Sequence, residues 1–215
     1  MKPAIGILGG TFDPVHYGHL MPAQETMQKL ALAQMRLMPN HIPPHRPQPI
    51  ASAQQRLTML QLAVSSMPGF TVDGRELGHH RPSYTIDTLI QMRLELPDTP
   101  FCFLIGMDSL LSLPHWHRWR ELTDYAHLIV SVRPGWTAPR QGELADFIQQ
   151  HQMGDPADLH RHLHGGLYWM QNTPIDLSAT QLRADLAAGR AVAGRIPAAT
   201  ADYLQQQRIY CRSVI

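Results

Sequence analysis

The chain has 215 residues, 44% hydrophobic and 16% charged, with a formal net charge of +1. That balance excludes a disordered chain and any partner held by whole-surface charge, such as duplex DNA or an anionic membrane. Two cysteines make no disulfide framework, no apolar run approaches the roughly 20 residues of a membrane span, and "MKPAIGILGG" is interrupted too early for a signal peptide. The expectation is a cytoplasmic protein of one sizeable domain, a monomer or small homo-oligomer, with no nucleic-acid or membrane partner.

In chain order, short apolar runs predict strands over Ala4–Leu8, Met35–Met38, Phe70–Val72, Phe101–Ile105, His127–Val132 and Leu167–Met170. Helical periodicity predicts helices over Leu20–Leu32, Ala53–Ser65, Thr85–Leu96, Glu143–Gln152, Ala179–Ala188 and Ala198–Gln207. "FCFLI" and "HLIVSV" are nearly continuous apolar runs, as expected of strands covered on both faces. The alternation predicts an α/β fold, a doubly wound parallel sheet with right-handed crossovers. Five prolines in Pro39–Pro49 demand an extended loop. The polar stretch 135–166 reads as an elaboration within the single domain. Cys102, inside an apolar run, reads as a small buried hydrophobe.

The stretch "GGTFDPVHYGHL" follows the first strand and precedes the first helix, the context of a phosphate loop. Gly9 and Gly10 let backbone N–H groups approach a ligand closely. Gly18 and His19 fall at the helix start, where the dipole and exposed N–H groups favour an anion. Neither a G-x-G-x-x-G pattern nor a P-loop lysine is present. The paired His16 and His19 admit three readings. They are cap residues, half of a zinc site lacking its other ligands, or N–H donors to phosphate; the adjoining glycines favour the last.

These residues resemble the nucleotidyltransferase superfamily, whose H-x-G-H element is matched by His16-Tyr17-Gly18-His19. Its S-x-T-x-x-R element is matched near the other end by Ser178, Thr180 and Arg183. "PNHIPPHRPQP", "RPSYTIDTL", "FLIGMDSLLSLPHWHRW" and "AHLIVSVRPG" are similar, in order, to segments of bacterial nicotinate-nucleotide adenylyltransferases. The similarity runs over nearly the whole chain and is weakest in 135–166. It implies transfer of the adenylyl group of ATP to nicotinate mononucleotide, with magnesium carried by the nucleotide. The products are nicotinate adenine dinucleotide and pyrophosphate, a step of NAD biosynthesis.

Within that resemblance, His16, His19 and Arg183 become the charge-stabilising catalytic set. Gly9, Gly10, Thr11, Phe12, Gly106, Asp108, Ser178 and Thr180 become ATP contacts. Asn40, His45, Arg46, Thr85, Trp116, His117 and Arg133 become mononucleotide contacts. Read without it, Ser178 is an ordinary cap of a surface helix, Asp108 a cap of "SLLSL", and Thr85 a cap of the helix after "SY". Trp116 alone reads as core packing, whereas the family stacks nicotinate on the equivalent aromatic. His115 and His117 beside Trp116 depart from the frequent family pattern. The histidines of Asp158–Gly166 have no spacing that argues for a metal, and no metal ligand set is expected of the chain.

The implied chemistry is in-line attack of the mononucleotide phosphate on the α-phosphorus. That nucleophile is already charged, so positioning and charge neutralisation matter more than a base. The alternatives are a different phosphate-ester acceptor, such as nicotinamide mononucleotide or phosphopantetheine, and a non-catalytic nucleotide sensor. Class I aminoacyl-tRNA synthetases share the H-x-G-H element, but this length leaves no room for a tRNA-reading domain.

Overall fold

The computed structural model describes residues 2–41, 48–78, 83–132 and 135–211. Six strands form one parallel sheet: β1 (Ile5–Gly10), β2 (Gln34–Pro39), β3 (Phe70–Val72), β4 (Phe101–Gly106), β5 (His127–Val132) and β6 (Leu167–Gln171). Their order, β3-β2-β1-β4-β5-β6, is that of the doubly wound dinucleotide-binding sheet. The direction of winding therefore reverses between β1 and β4, and their carboxyl ends open one crevice.

Each crossover is helical: α1 (Tyr17–Lys29), α2 (Ala53–Val64), α3 (Thr85–Glu95), α4 (Met107–Ser112) and α5 (Glu143–His151), with the short α6 (Asp158–Arg161) before β6. After the sheet come α7 (Ala179–Ala187) and α8 (Ala198–Gln206). Two apolar layers follow from strand alternation. Cys102 and Leu104 of β4 face α1, α2, α7 and α8, represented by Leu20, Leu60, Leu182 and Leu204. Phe101, Phe103 and Ile105 face α3, α4 and α5, represented by Leu89, Leu110 and Phe147. Cys102 is fully buried, and burial pushes its thiol pKa up to about 12, so it behaves as the small hydrophobe expected.

The predicted strands and long helices stand within a few residues of their observed ends. Three differences bear on the site. Helix α1 begins at Tyr17, earlier than the apolar pattern indicates, because His16 already occupies its N-cap with extended backbone. Helix α4, too short for a periodic signal, starts directly from the end of β4 with Gly106 as N-cap, so Asp108 lies in its first turn and is not the cap. The polar stretch 135–166 supplies the β5–β6 crossover, with Leu144, Phe147, Ile148 and Leu159 all buried.

Candidate active site

A cleft of about 1360 Å³ opens at the carboxyl ends of β1 and β4. Pockets for a single small ligand span roughly 300–1,000 Å³, so this one has room for two nucleotides. It is lined on one side by the β1–α1 loop and the start of α7, and on the other by α3, α4 and the segment after it.

On the first side the chain leaves β1 through Gly9 and Gly10. A Cβ on Gly10 would meet the Phe12 ring at 3.1 Å, and Phe12 itself adopts a left-handed φ of 50°. That conformation costs a non-glycine residue on the order of 1 kcal/mol. The burial of the Phe12 ring, 2% exposed, offsets it. The Asp13–Pro14 peptide is cis. The chain then reaches the His16 N-cap. Gly18 is required here, since a Cβ at this position would lie 2.8 Å from His16 Nδ1.

The two histidines differ. His16 is 4% exposed and its ring packs on that of His19, with centroids 3.8 Å apart. His19 lines the cleft, and its ring is met edge-on by Phe12 at 5.2 Å. The His16 backbone N–H donates to His19 Nδ1 at 3.3 Å. A neutral His19 that accepts at Nδ1 carries its proton on Nε2, which makes Nε2 a hydrogen-bond donor. At the helix start, the Tyr17 N–H donates to the Arg195 carbonyl at 3.0 Å and so is committed within the protein.

Helix α7 brings the second element to the same loop. The Ser178 hydroxyl accepts the Gln181 N–H at 3.2 Å, an ordinary N-cap bond. Thr180 and Arg183 line the cleft. Arg183 Nη1 donates to the Asp13 carbonyl at 2.7 Å and Nη2 donates to the Thr180 hydroxyl at 3.2 Å. Asp185, further along α7, binds Arg195 and Arg190, which hold its carboxyl down to about 2. The start of α1 is thus joined to α7 twice, through Asp13–Arg183 and through Arg195–Asp185.

Gly106 and Asp108 line the opposite wall, and a Cβ on Gly106 would lie 2.6 Å from Asp108 Oδ1. Beyond them the two tryptophans of "PHWHRW" part company. Trp119 is 6% exposed and packs edge-on to Phe147 at 4.9 Å, a core residue. Trp116 is half-buried, lines the cleft and meets Phe103 edge-on at 6.5 Å. The ring of His117 lies 4.6 Å from that of Tyr84, and Thr85 and Asn40 line the same region. His45, Arg46 and Arg133 lie outside the described residues.

Sequence reasoning passed over three residues around the phosphate loop. Asp13 is 6% exposed. Arg56, 1% exposed on α2, donates to the Thr11 carbonyl at 2.8 Å and to the His41 carbonyl at 3.2 Å. Burial lowers its pKa, while Asp13 acts in the opposite direction. Tyr210 donates its hydroxyl proton to Asp13 Oδ1 at 2.5 Å. Only Asp13 had a signal, as the residue before proline in the quoted loop. Among the described residues no group of three or more His, Cys, Asp or Glu is placed to hold a metal ion. Asp13, the buried carboxylate of the loop, is occupied by three hydrogen-bond donors.

A family model described as "Cytidylyltransferase-like" matches residues 7–185. The chain is 57% identical over 210 residues, 98% of each chain, to a protein of Aeromonas hydrophila subsp. hydrophila named "Probable nicotinate-nucleotide adenylyltransferase". The chain belongs to the nicotinate-nucleotide adenylyltransferase family. A second member, of the same name, from Psychromonas ingrahamii, is 43% identical over 97% of this chain and 98% of its own. The nicotinic acid mononucleotide adenylyltransferase of Plasmodium falciparum, solved complexed with APC, superposes with a TM-score of 0.72. It covers 97% of this chain and 98% of its own at 16% identity, so it speaks for the shared fold.

Proposed function

We propose that the protein joins ATP and nicotinate mononucleotide, giving nicotinate adenine dinucleotide and pyrophosphate, as a cytoplasmic step of NAD biosynthesis. One observation carries this reading: His19 and Arg183, far apart in the chain, line one cleft whose opposite wall carries Trp116. Phosphate-directed donors and a flat apolar ring then face each other across a space large enough for two nucleotides.

ATP lies along the β1–α1 loop. His19 Nε2–H donates to its phosphate oxygens, and Arg183 supplies a fixed positive charge to the departing β- and γ-phosphates. His16 supports the His19 ring. Gly9, Gly10, Thr11 and Phe12 present backbone to the nucleotide, Gly106 and Asp108 receive its ribose, and Ser178 and Thr180 shape the start of α7. The mononucleotide lies against Trp116, with the backbone at Thr85 and His117 reading the nicotinate carboxylate. Asn40 is assigned to its phosphate, and the family resemblance adds His45, Arg46 and Arg133 as mononucleotide contacts. Magnesium carried by ATP would neutralise part of the phosphate charge when bound.

The bond that forms joins a mononucleotide phosphate oxygen to the α-phosphorus; the bond that breaks joins that phosphorus to the bridging oxygen of pyrophosphate. The nucleophile is charged near neutral pH, so alignment and charge neutralisation supply the acceleration, and alignment alone is worth roughly 7–11 kcal/mol. The test is pyrophosphate release from ATP with nicotinate mononucleotide, nicotinamide mononucleotide or phosphopantetheine as acceptor. Fastest release with nicotinate mononucleotide is expected. Preference for phosphopantetheine, or no release with any acceptor, refutes the reading.

A further inference from the structure

Arg183 is held by Asp13, a residue of the β1–α1 loop that lines the same cleft. Its Nη1 donates to the Asp13 main-chain carbonyl at 2.7 Å and lies 4.0 Å from Asp13 Oδ2. The position of that carbonyl depends on how the Asp13 side chain is held. Oδ1 accepts the Tyr210 hydroxyl at 2.5 Å and the Ala51 N–H at 3.0 Å, and Oδ2 accepts the Ile50 N–H at 2.9 Å. Two of these donors belong to the loop entering α2, and the third comes from beyond α8.

Tyr210 is 8% exposed and has a left-handed φ of 64°, a conformation that a non-glycine residue rarely adopts. Burial and the neighbouring Asp13 raise its pKa well above the ordinary tyrosine range, so the hydroxyl keeps its proton and remains a donor. Arg56 closes the cluster from α2 through its bond to the Thr11 carbonyl. Asp13, Arg56 and Tyr210 are thus buried polar residues around the phosphate loop, and the half-buried Arg183 joins them through Asp13. A change at one is felt at the others.

We propose that Tyr210 is a positioning residue for adenylyl transfer, holding Asp13 so that its carbonyl aims the Arg183 guanidinium into the cleft. This rests on the reading of Arg183 as the group that neutralises departing pyrophosphate. Tyr210 touches neither substrate, so its loss lowers turnover through Arg183 and leaves mononucleotide binding at the aromatic wall unchanged.

The experiment is a cycle of Tyr210→Phe, Arg183→Ala and the double variant. Turnover, both KM values and melting temperature are measured for each, well below every melting point. Misplacement of a positioning group by about 1 Å can cost up to about 10²-fold, and the retained backbone donors make a loss of about tenfold the expectation for Y210F. The KM for nicotinate mononucleotide stays within about twofold, and Y210F costs nothing further once Arg183 is gone. Asp13→Asn keeps the tyrosine but weakens its acceptor, so it carries the same test if Y210F does not fold; a lowered turnover is again expected. Wild-type turnover in Y210F, or an equal loss with and without Arg183, overturns the proposal alone. Wild-type turnover in R183A overturns the reading of Arg183 itself and the proposal with it.

Discussion

The two walls of the cleft are built differently. The phosphate wall is anchored from below: Asp13, His16 and Arg56 are each under 10% exposed, and Arg183 is tied to the loop by a bond spanning most of the chain. The aromatic wall is held by side-chain packing at the surface, with Trp116 half-buried and both His115 and His117 exposed. Charge developing on phosphates needs donors that do not reorganise, which a buried hydrogen-bonded frame provides. A planar ring needs only a complementary face, which tolerates neighbours of many kinds. The phosphate wall should therefore govern turnover, and the aromatic wall the affinity for the acceptor.

The largest effect that tests this division is expected from His19→Ala. Loss of a preorganised donor typically costs 10²–10³-fold in turnover. We expect a fall of roughly that size at unchanged melting temperature, read by steady-state pyrophosphate release. A change confined to KM would erase the distinction between the walls. Trp116→Ala comes next: loss of the ring face should raise the KM for nicotinate mononucleotide about tenfold, with turnover within about threefold. His117→Ala sharpens the comparison further. Its ring packs on Tyr84, and the carboxylate is assigned to backbone, so the KM should move by no more than about threefold. A much larger change would make the imidazole itself a nicotinate contact.

A control outside both walls comes from His127, at the start of β5 and fully buried. Its Nδ1 accepts the Gly166 N–H at 3.0 Å and its Nε2 donates to the His162 carbonyl at 2.9 Å, so it is neutral in the fold. Burial lowers its pKa from 6.5 to about 4. Between those values the unfolded chain binds the extra proton, so this contribution to stability is complete above pH 6.5 and is lost as pH falls toward 4. Melting temperature should drop across that window, with the KM values unchanged while the protein remains folded. A flat profile would mean that His127 is not buried in its neutral form.

The same contrast explains what could be read from the sequence. The sheet was legible because "FCFLI" and "HLIVSV" are nearly continuous apolar runs, as strands covered on both faces need. The phosphate wall was legible wherever function imposed unusual local chemistry, as in His16-Tyr17-Gly18-His19. Its foundation was not. Arg56 sits in "AQQRLTML", where nothing separates a buried guanidinium from a solvated one, and Tyr210 meets Asp13 only because the chain folds back beneath the loop. The start of α1 was placed late because apolar periodicity begins at Leu20, whereas the cap lies at His16.

The proposed function has the chain position substrates and neutralise charge, with no side chain bonding covalently to the adenylyl group. Stereochemistry tests this most directly. Transfer from ATP carrying a single sulfur of known configuration on the α-phosphorus should invert that centre, as one in-line displacement requires. Retention would reveal two displacements and an adenylylated residue, for which His19 is the accessible candidate, and would contradict the account.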